Sequence, residues 1–154
     1  MFQRIPNSEF LMPNSRFLMA IRVVRLGTPR ARSEGVRLGT VRRPPRGVKK
    51  RDFGRLDYFD IWTPELAPSD LLMKWAHAAP LTGKRWAVFA RRYSREMSAP
   101  AAQRVIALLA SFSQTTDFSV GCYCEQESRC HRSLLRTLLA DAGAMMTVDT
   151  KEAS

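Results

Sequence analysis

Apolar positions alternate, run together or recur at helical spacing in clearly bounded stretches of this chain, and each pattern predicts an element. Ala20–Leu26 and Val36–Val41 are short β-rich runs, and Tyr58–Trp62 is a third. The stretch 27–35 between the first two contains Pro29 and flanking glycines, which predicts a loop. Arg42–Gly47, with two adjacent prolines, cannot lie inside a helix and predicts an extended or turning basic loop. Pro68-Ser69-Asp70 starts a helix with Ser69 as N-cap, and Leu71, Leu72 and Trp75 fall on its apolar side. Gly83–Met97 predicts a second helix with Trp86, Phe89, Ala90 and Tyr93 on one face. A third opens at Ser98-Ala99-Pro100, with Val105, Leu108, Leu109 and Phe112 as its stripe. Phe118–Cys124 reads as a buried strand. Arg129–Ala142 reads as a last helix, ended by Gly143, and Met145–Val148 as a short final strand.

Strands interleaved with helices predict an α/β fold: one domain over residues 19–148, with a largely parallel sheet flanked by helices. The length of 154 residues is that of one domain with a real core. Residues 6–19 are a heptad written twice, Pro-Asn-Ser-Glu-Phe-Leu-Met and Pro-Asn-Ser-Arg-Phe-Leu-Met. Such a copy is too short to be a folded repeat. Residues 1–18 are therefore expected to be a disordered, dispensable extension, with Met19 as a candidate natural start. Residues 149–154 are expected to be a disordered tail.

Charge changes this picture. Of 25 Lys and Arg residues, 12 lie between Arg22 and Arg55 against two acids, and the remainder of the chain is close to neutral. Twenty of the 25 are Arg, the fork-shaped donor for phosphate and carboxylate. A basic half beside a neutral half predicts an anionic partner, either a small ligand or a nucleic acid. The alternative is a solvated Arg-rich surface. No apolar run is long enough for a membrane helix, and three clustered cysteines fit a reducing cytoplasm better than a disulfide scaffold.

The chemistry concentrates at the junction between the buried strand and the last helix. All three cysteines, Cys122, Cys124 and Cys130, fall there with His131, Arg129 and Arg132. With Ser128 as N-cap, Arg129, Cys130 and His131 occupy the first turn, where free N–H groups face outward. Positive side chains are disfavoured at that end unless an anion binds there, which makes Arg129 and Arg132 candidate anion ligands. Cys-x-Cys-x5-Cys-His also offers ligands for zinc or iron from Cys122, Cys124, Cys130 and His131, although adjacent Cys and His rarely share one tetrahedral ion. The expectation is that no metal is bound. A cysteine at a helix start beside Arg and His is activated as a thiolate, whereas Cys122 is expected to be buried and inert. Cys124 to Arg129 is one residue short of a phosphatase loop. His77 is expected to be structural or exposed.

Four ordered segments carry a resemblance: Val41-Arg-Arg-Pro-Pro-Arg-Gly-Val-Lys-Lys50, Trp62-Thr-Pro-Glu-Leu-Ala-Pro-Ser69, Phe89-Ala-Arg-Arg-Tyr-Ser-Arg-Glu-Met97, and Cys130-His131-Arg132. Over about Met19 to Ala144 the chain resembles the domain-of-unknown-function 488 family, which includes the YeaO-like bacterial proteins. The resemblance implies an α/β fold and no settled activity. The YeaO-like branch keeps a His at the last junction but generally lacks the cysteines, so a Cys-dependent metal site would be a speciality of this branch. The matched positions are Arg46, Lys49, Lys50, His131 and Arg132. The reading that follows is an anion-binding protein and candidate enzyme acting on a nucleotide or other phosphorylated small molecule, with His131 for general acid/base chemistry, Arg46, Lys49 and Lys50 for contacts from the basic loop, and Arg132 for an electrostatic clamp. The alternatives are a nucleic-acid-binding accessory protein and a Cys/His metal or redox module.

Overall fold

The computed structural model describes residues 20–148. The expectations for residues 1–18 and 149–154 lie outside the described residues. Four strands, β1 (Ile21–Arg25), β2 (Val36–Gly39), β3 (Ile61–Trp62) and β4 (Phe118–Cys122), form one sheet in the order β1-β4-β2-β3, and all neighbours are parallel. Four helices follow the pattern of the sequence: α1 (Asp70–His77), α2 (Gly83–Met97), α3 (Pro100–Phe112) and α4 (His131–Asp141). The fold is α/β, with β4 as a central strand buried at all five positions.

Register explains where the core sits. Ile21, Phe118 and Val36 share one level, and Val23, Val120 and Leu38 the next. Ile21, Val23, Leu38, Phe118 and Val120 pack in one cluster with buried residues from all four helices. The helices therefore cover a single face of the sheet, whereas flanking on both faces fits the general rule for parallel sheets. The other face carries Arg37, Gly39, Ser119 and Gly121, and loops cover it. Arg37 is fully buried and gives two bonds to the Glu34 carboxylate, which also accepts from the Ser119 hydroxyl. A buried ion pair is tolerated when its remaining hydrogen bonds are met. Here Arg37 also donates to the carbonyls of Thr28 and Asp57.

Several local expectations shift for identifiable reasons. The third strand shrinks from Tyr58–Trp62 to two residues. Asp57 takes φ of 60° and Tyr58 N–H closes a turn onto the Phe53 carbonyl. Leu71 is 82% exposed, so α1 buries Leu72 and Ala76 instead. On α3 the core stripe is Ala102, Ile106, Leu109 and Ala110, while Leu108 and Phe112 are half exposed. Met145–Val148 contributes a single parallel bridge, Ile21 with Met146, in place of a strand. Ser69 caps α1 as its sequence predicts, accepting from Leu72 N–H, and also bonds Glu96. Gly143 ends α4 at φ of 91°, the left-handed position a helix C-terminus favours.

Candidate functional site

All strands run in one direction, so their C-terminal ends meet at one edge, where open α/β sheets hold ligands. Two glycines let the backbones converge there. A side chain at Gly39 would strike the Phe59 ring, and one at Gly121 would strike the Leu26 side chain and the Val24 carbonyl. Cys122 is the last residue of β4. The chain then turns through Tyr123 and Cys124 and makes one 3₁₀ turn at Glu127–Arg129. It enters α4 at His131 with Cys130 as N-cap.

That entry overturns the placement of Ser128 as N-cap. Cys130 N–H bonds the Glu127 carbonyl at 3.0 Å, which closes the 3₁₀ turn and delays the α-helix to His131. Arg129 is thus outside the helix, exposed, and sits over the Trp86 ring at 5.8 Å.

The strand's turn brings the three sulfurs together. Cys122 Sγ and Cys124 Sγ are 3.7 Å apart, and all three Sγ atoms lie within 4.8 Å of one another. Cys122 and Cys130 are buried, and Cys124 is exposed. Three thiolates this close would repel one another strongly, so ionisation of one sulfur disfavours ionisation of the other two. The negative charge favours Cys124. The thiols of Cys122 and then Cys130 donate to Cys124, and the nearby charge of Arg132 adds to this, which pulls its pKa far below the ordinary thiol range. Its partners move the other way. Cys122 is pushed up to about 11, first by its bond to Cys124, and Cys130 is held protonated by Cys122, Cys124 and burial.

His131 is 4% exposed. Its Nε2 lies 2.7 Å from the Thr40 carbonyl oxygen, which can only accept, so Nε2 carries the hydrogen. The lone pair of the neutral ring is then on Nδ1, which faces Cys130 Sγ at 3.8 Å. Burial lowers the pKa of this ring to about 4, against a smaller opposing effect of the Thr40 bond, so it is neutral at pH 7. Arg132 is equally buried. It gives one long bond of 3.4 Å to the Glu125 carbonyl, and its Nε has no partner. An unpaired donor on a buried cation is costly.

A cleft of about 300 Å³ opens over Cys124, bordered by Cys122, Tyr123 and His131 and, on the other side, by Arg42 and Arg43. Arg42 is anchored to the carbonyls of Ala67 and Pro68, and Arg43 makes an exposed ion pair with Asp70. Tyr123 hydroxyl donates to the Arg43 carbonyl at 3.1 Å, tying the basic loop to the end of β4. His77 borders the same cleft and is exposed. The structure therefore gathers His131 and Arg132 with the three cysteines. It adds Arg42, Arg43 and Tyr123, which the sequence reading did not single out as site residues. Their signal was the first resembling segment, which begins at Val41. Arg46 borders an adjoining cleft, and Lys50 a further one at the start of the 3₁₀ turn Lys50–Asp52, with Lys49 just before it.

A family model described as the active DUF488-N3 subclade matches residues 21–143. No curated protein and no solved structure matches the chain. No helix among the described residues is long and apolar enough to cross a membrane.

Proposed function

The chain belongs to the DUF488 family, and on that premise we propose that it is a cysteine-dependent enzyme acting on an anionic substrate, with the Cys124 thiolate as nucleophile. One observation carries this reading: of three sulfurs within 4.8 Å of one another, that of Cys124 is the exposed one, borders the cleft, and is acceptor to the Cys122 thiol at 3.7 Å, an arrangement that favours its ionised form. A thiolate at such a position attacks an electrophilic centre. The bond from sulfur forms as the bond to the leaving group breaks, and water then displaces the sulfur. Arg132, Arg42 and Arg43 supply the positive potential that holds an anion over Cys124. Arg46, Lys49 and Lys50 extend it along the loop, whereas Arg129, over the Trp86 ring, borders none of these clefts. His131 is too enclosed to reach a substrate through Nε2. Its Nδ1 lone pair faces Cys130 Sγ at 3.8 Å, so the ring and Cys124 compete for the single proton of that thiol.

The test is residue-resolved alkylation of the folded protein with iodoacetamide at pH 6, read by mass spectrometry. An ordinary thiol is only about 0.3% ionised at that pH, so a thiolate at Cys124 reacts at least tenfold faster than Cys122 or Cys130 and faster than a model thiol. Equal, slow labelling of all three would end this reading.

A second reading is favoured by the sulfur spacing. A zinc ion bound at about 2.3 Å to each thiolate sets neighbouring sulfurs about 3.8 Å apart, close to the 3.7 Å between Cys122 and Cys124. Cys122, Cys124 and Cys130 would then hold zinc or iron, with one position open to the cleft. Protein purified without chelator would carry near-stoichiometric metal, and all three thiols would resist alkylation until it is removed.

A further inference from the structure

We infer that the C-terminal edge of the sheet is a binding track for a single-stranded nucleic acid, which delivers a nucleotide to the Cys124 cleft. The delivery rests on the proposed thiol chemistry, but the binding does not.

Three clefts run end to end along this edge. The Cys124 cleft shares Arg43 and Tyr123 with the next, which holds Arg46 and Tyr58. That one shares Pro44 with a third, of about 540 Å³, whose walls include Trp62, Phe53, Lys50 and Arg51. From the sequence, the basic stretch has no aromatic residue before Phe53 and so no surface on which bases could stack. The fold supplies one from elsewhere in the chain, because Tyr58, Trp62 and Tyr123 all come to the edge where the basic loop lies.

The rings are held in place before any ligand arrives. Trp62 is 44% exposed, yet its indole N–H bonds the Val41 carbonyl at 2.8 Å. Tyr58 and Tyr123 meet edge to face at 6.2 Å, and Tyr123 is fixed by its bond to Arg43.

The cations divide into two sets. Arg30 and Arg37 are consumed by Asp57, Asp60 and Glu34 within the fold, and Arg43 on the track pairs with Asp70. Arg46, Lys49, Lys50 and Arg51 form no ion pair among the described residues. Asp60, the acid in the third cleft, is already neutralised by Arg30 at 2.6 Å. What remains along the track is positive charge beside one exposed ring, Trp62, and the half-buried rings of Phe53, Tyr58 and Tyr123.

That combination selects the partner. Phosphates need the cations, and only unstacked bases can use the rings. A duplex keeps its bases stacked inside, and an acidic peptide needs the charges but not the rings. The charge pattern alone fits all three, and the fixed aromatic faces favour the single strand.

The experiment measures binding of the full chain to a fluorescein-labelled 12-mer oligothymidylate and the matching oligouridylate by anisotropy. A duplex of the same length and polyglutamate of equal charge serve as comparisons. The expected result is that at least one single strand binds at least tenfold tighter than duplex and polyglutamate. Trp62→Ala should weaken it by about fivefold to a hundredfold, and Trp62→Phe should restore most of the loss. Removing three charges together, Arg46→Gln, Lys50→Gln and Arg51→Gln, should reduce the salt slope by about 2, at about 0.7 per contact. Equal affinity for duplex or polyglutamate would reduce the track to a generic basic surface and overturn the inference. So would wild-type affinity in Trp62→Ala. Because binding is read without turnover, its failure is distinguishable from failure of the thiol reading, which alkylation tests.

Discussion

His131 Nε2 sits 2.7 Å from the carbonyl oxygen of Thr40, a residue 91 positions earlier, and this bond joins the first residue of α4 to the end of β2. It fixes the ring's tautomer and turns the free lone pair toward Cys130. His131→Ala should leave the Thr40 carbonyl unpaired beside a cavity, and should cost about 2–4 kcal/mol in urea unfolding. His131→Gln, which can still donate, should lose much less.

The same burial predicts a pH dependence. The ring's pKa falls from 6.5 to about 4 on folding, so between those values the unfolded chain binds more protons than the native one. Stability is then fully present above about pH 6.5 and is lost as pH falls towards 4, by an amount on the order of 3 kcal/mol. Urea midpoints measured across that window should slope in the wild type. In His131→Gln they should be flatter, and an unchanged slope would mean that His131 does not titrate as described.

Arg132 should matter to Cys124 more than to the fold's geometry. Its charge stabilises the thiolate, so Arg132→Met should slow Cys124 alkylation at pH 6 several-fold and move its pH–rate profile to higher pH. A profile unchanged from wild type would show that the arginine does not act on that sulfur.

The Glu34–Arg37 pair lies beneath the loop-covered face of the sheet. Arg37→Met leaves a buried carboxylate with its charge uncompensated and should cost about 3–5 kcal/mol. The double change Glu34→Leu with Arg37→Met should recover much of that loss, because the pair's removal is less costly than its separation. Thermal or urea denaturation of the three variants decides it.

Gly121→Ala should reach the site through the backbone. The added methyl meets Leu26 and the Val24 carbonyl, and β4 must shift one residue before Cys122. Overpacking of this kind costs about 1–3 kcal/mol. The displaced strand end should also slow Cys124 alkylation relative to wild type.

Local patterns in the sequence determined much of the architecture. The spacing of Trp86, Phe89, Ala90 and Tyr93 placed α2, and Ser69 and Pro100 marked two helix starts. The run Phe118–Cys124 announced a buried strand, which the fold ends at Cys122 and places between β1 and β2, and the cluster of cysteines with His131 and Arg132 marked the candidate site. These features are legible because hydrophobic period, capping and proline chemistry act within a few residues. The tertiary structure alone decided the rest. Val41 to Lys50 resembles a known segment, but nothing in its spacing says that Arg42 and Arg43, more than Arg46, border the thiols. Thr40 contributes a backbone carbonyl, which every residue has, so its role with His131 leaves no mark on residue type. The spacing Cys-x-Cys-x5-Cys-His offered the three cysteines as a set, whereas the turn after β4 and the 3₁₀ step before α4 are what bring their sulfurs within 4.8 Å of one another. That convergence depends on parallel pairing of β4 with both β1 and β2, on the Phe59 ring packed over Gly39 and on the close approach of Leu26 and the Val24 carbonyl to Gly121. The strand pairings are contacts between segments some 80 residues apart, and local sequence does not encode them one position at a time.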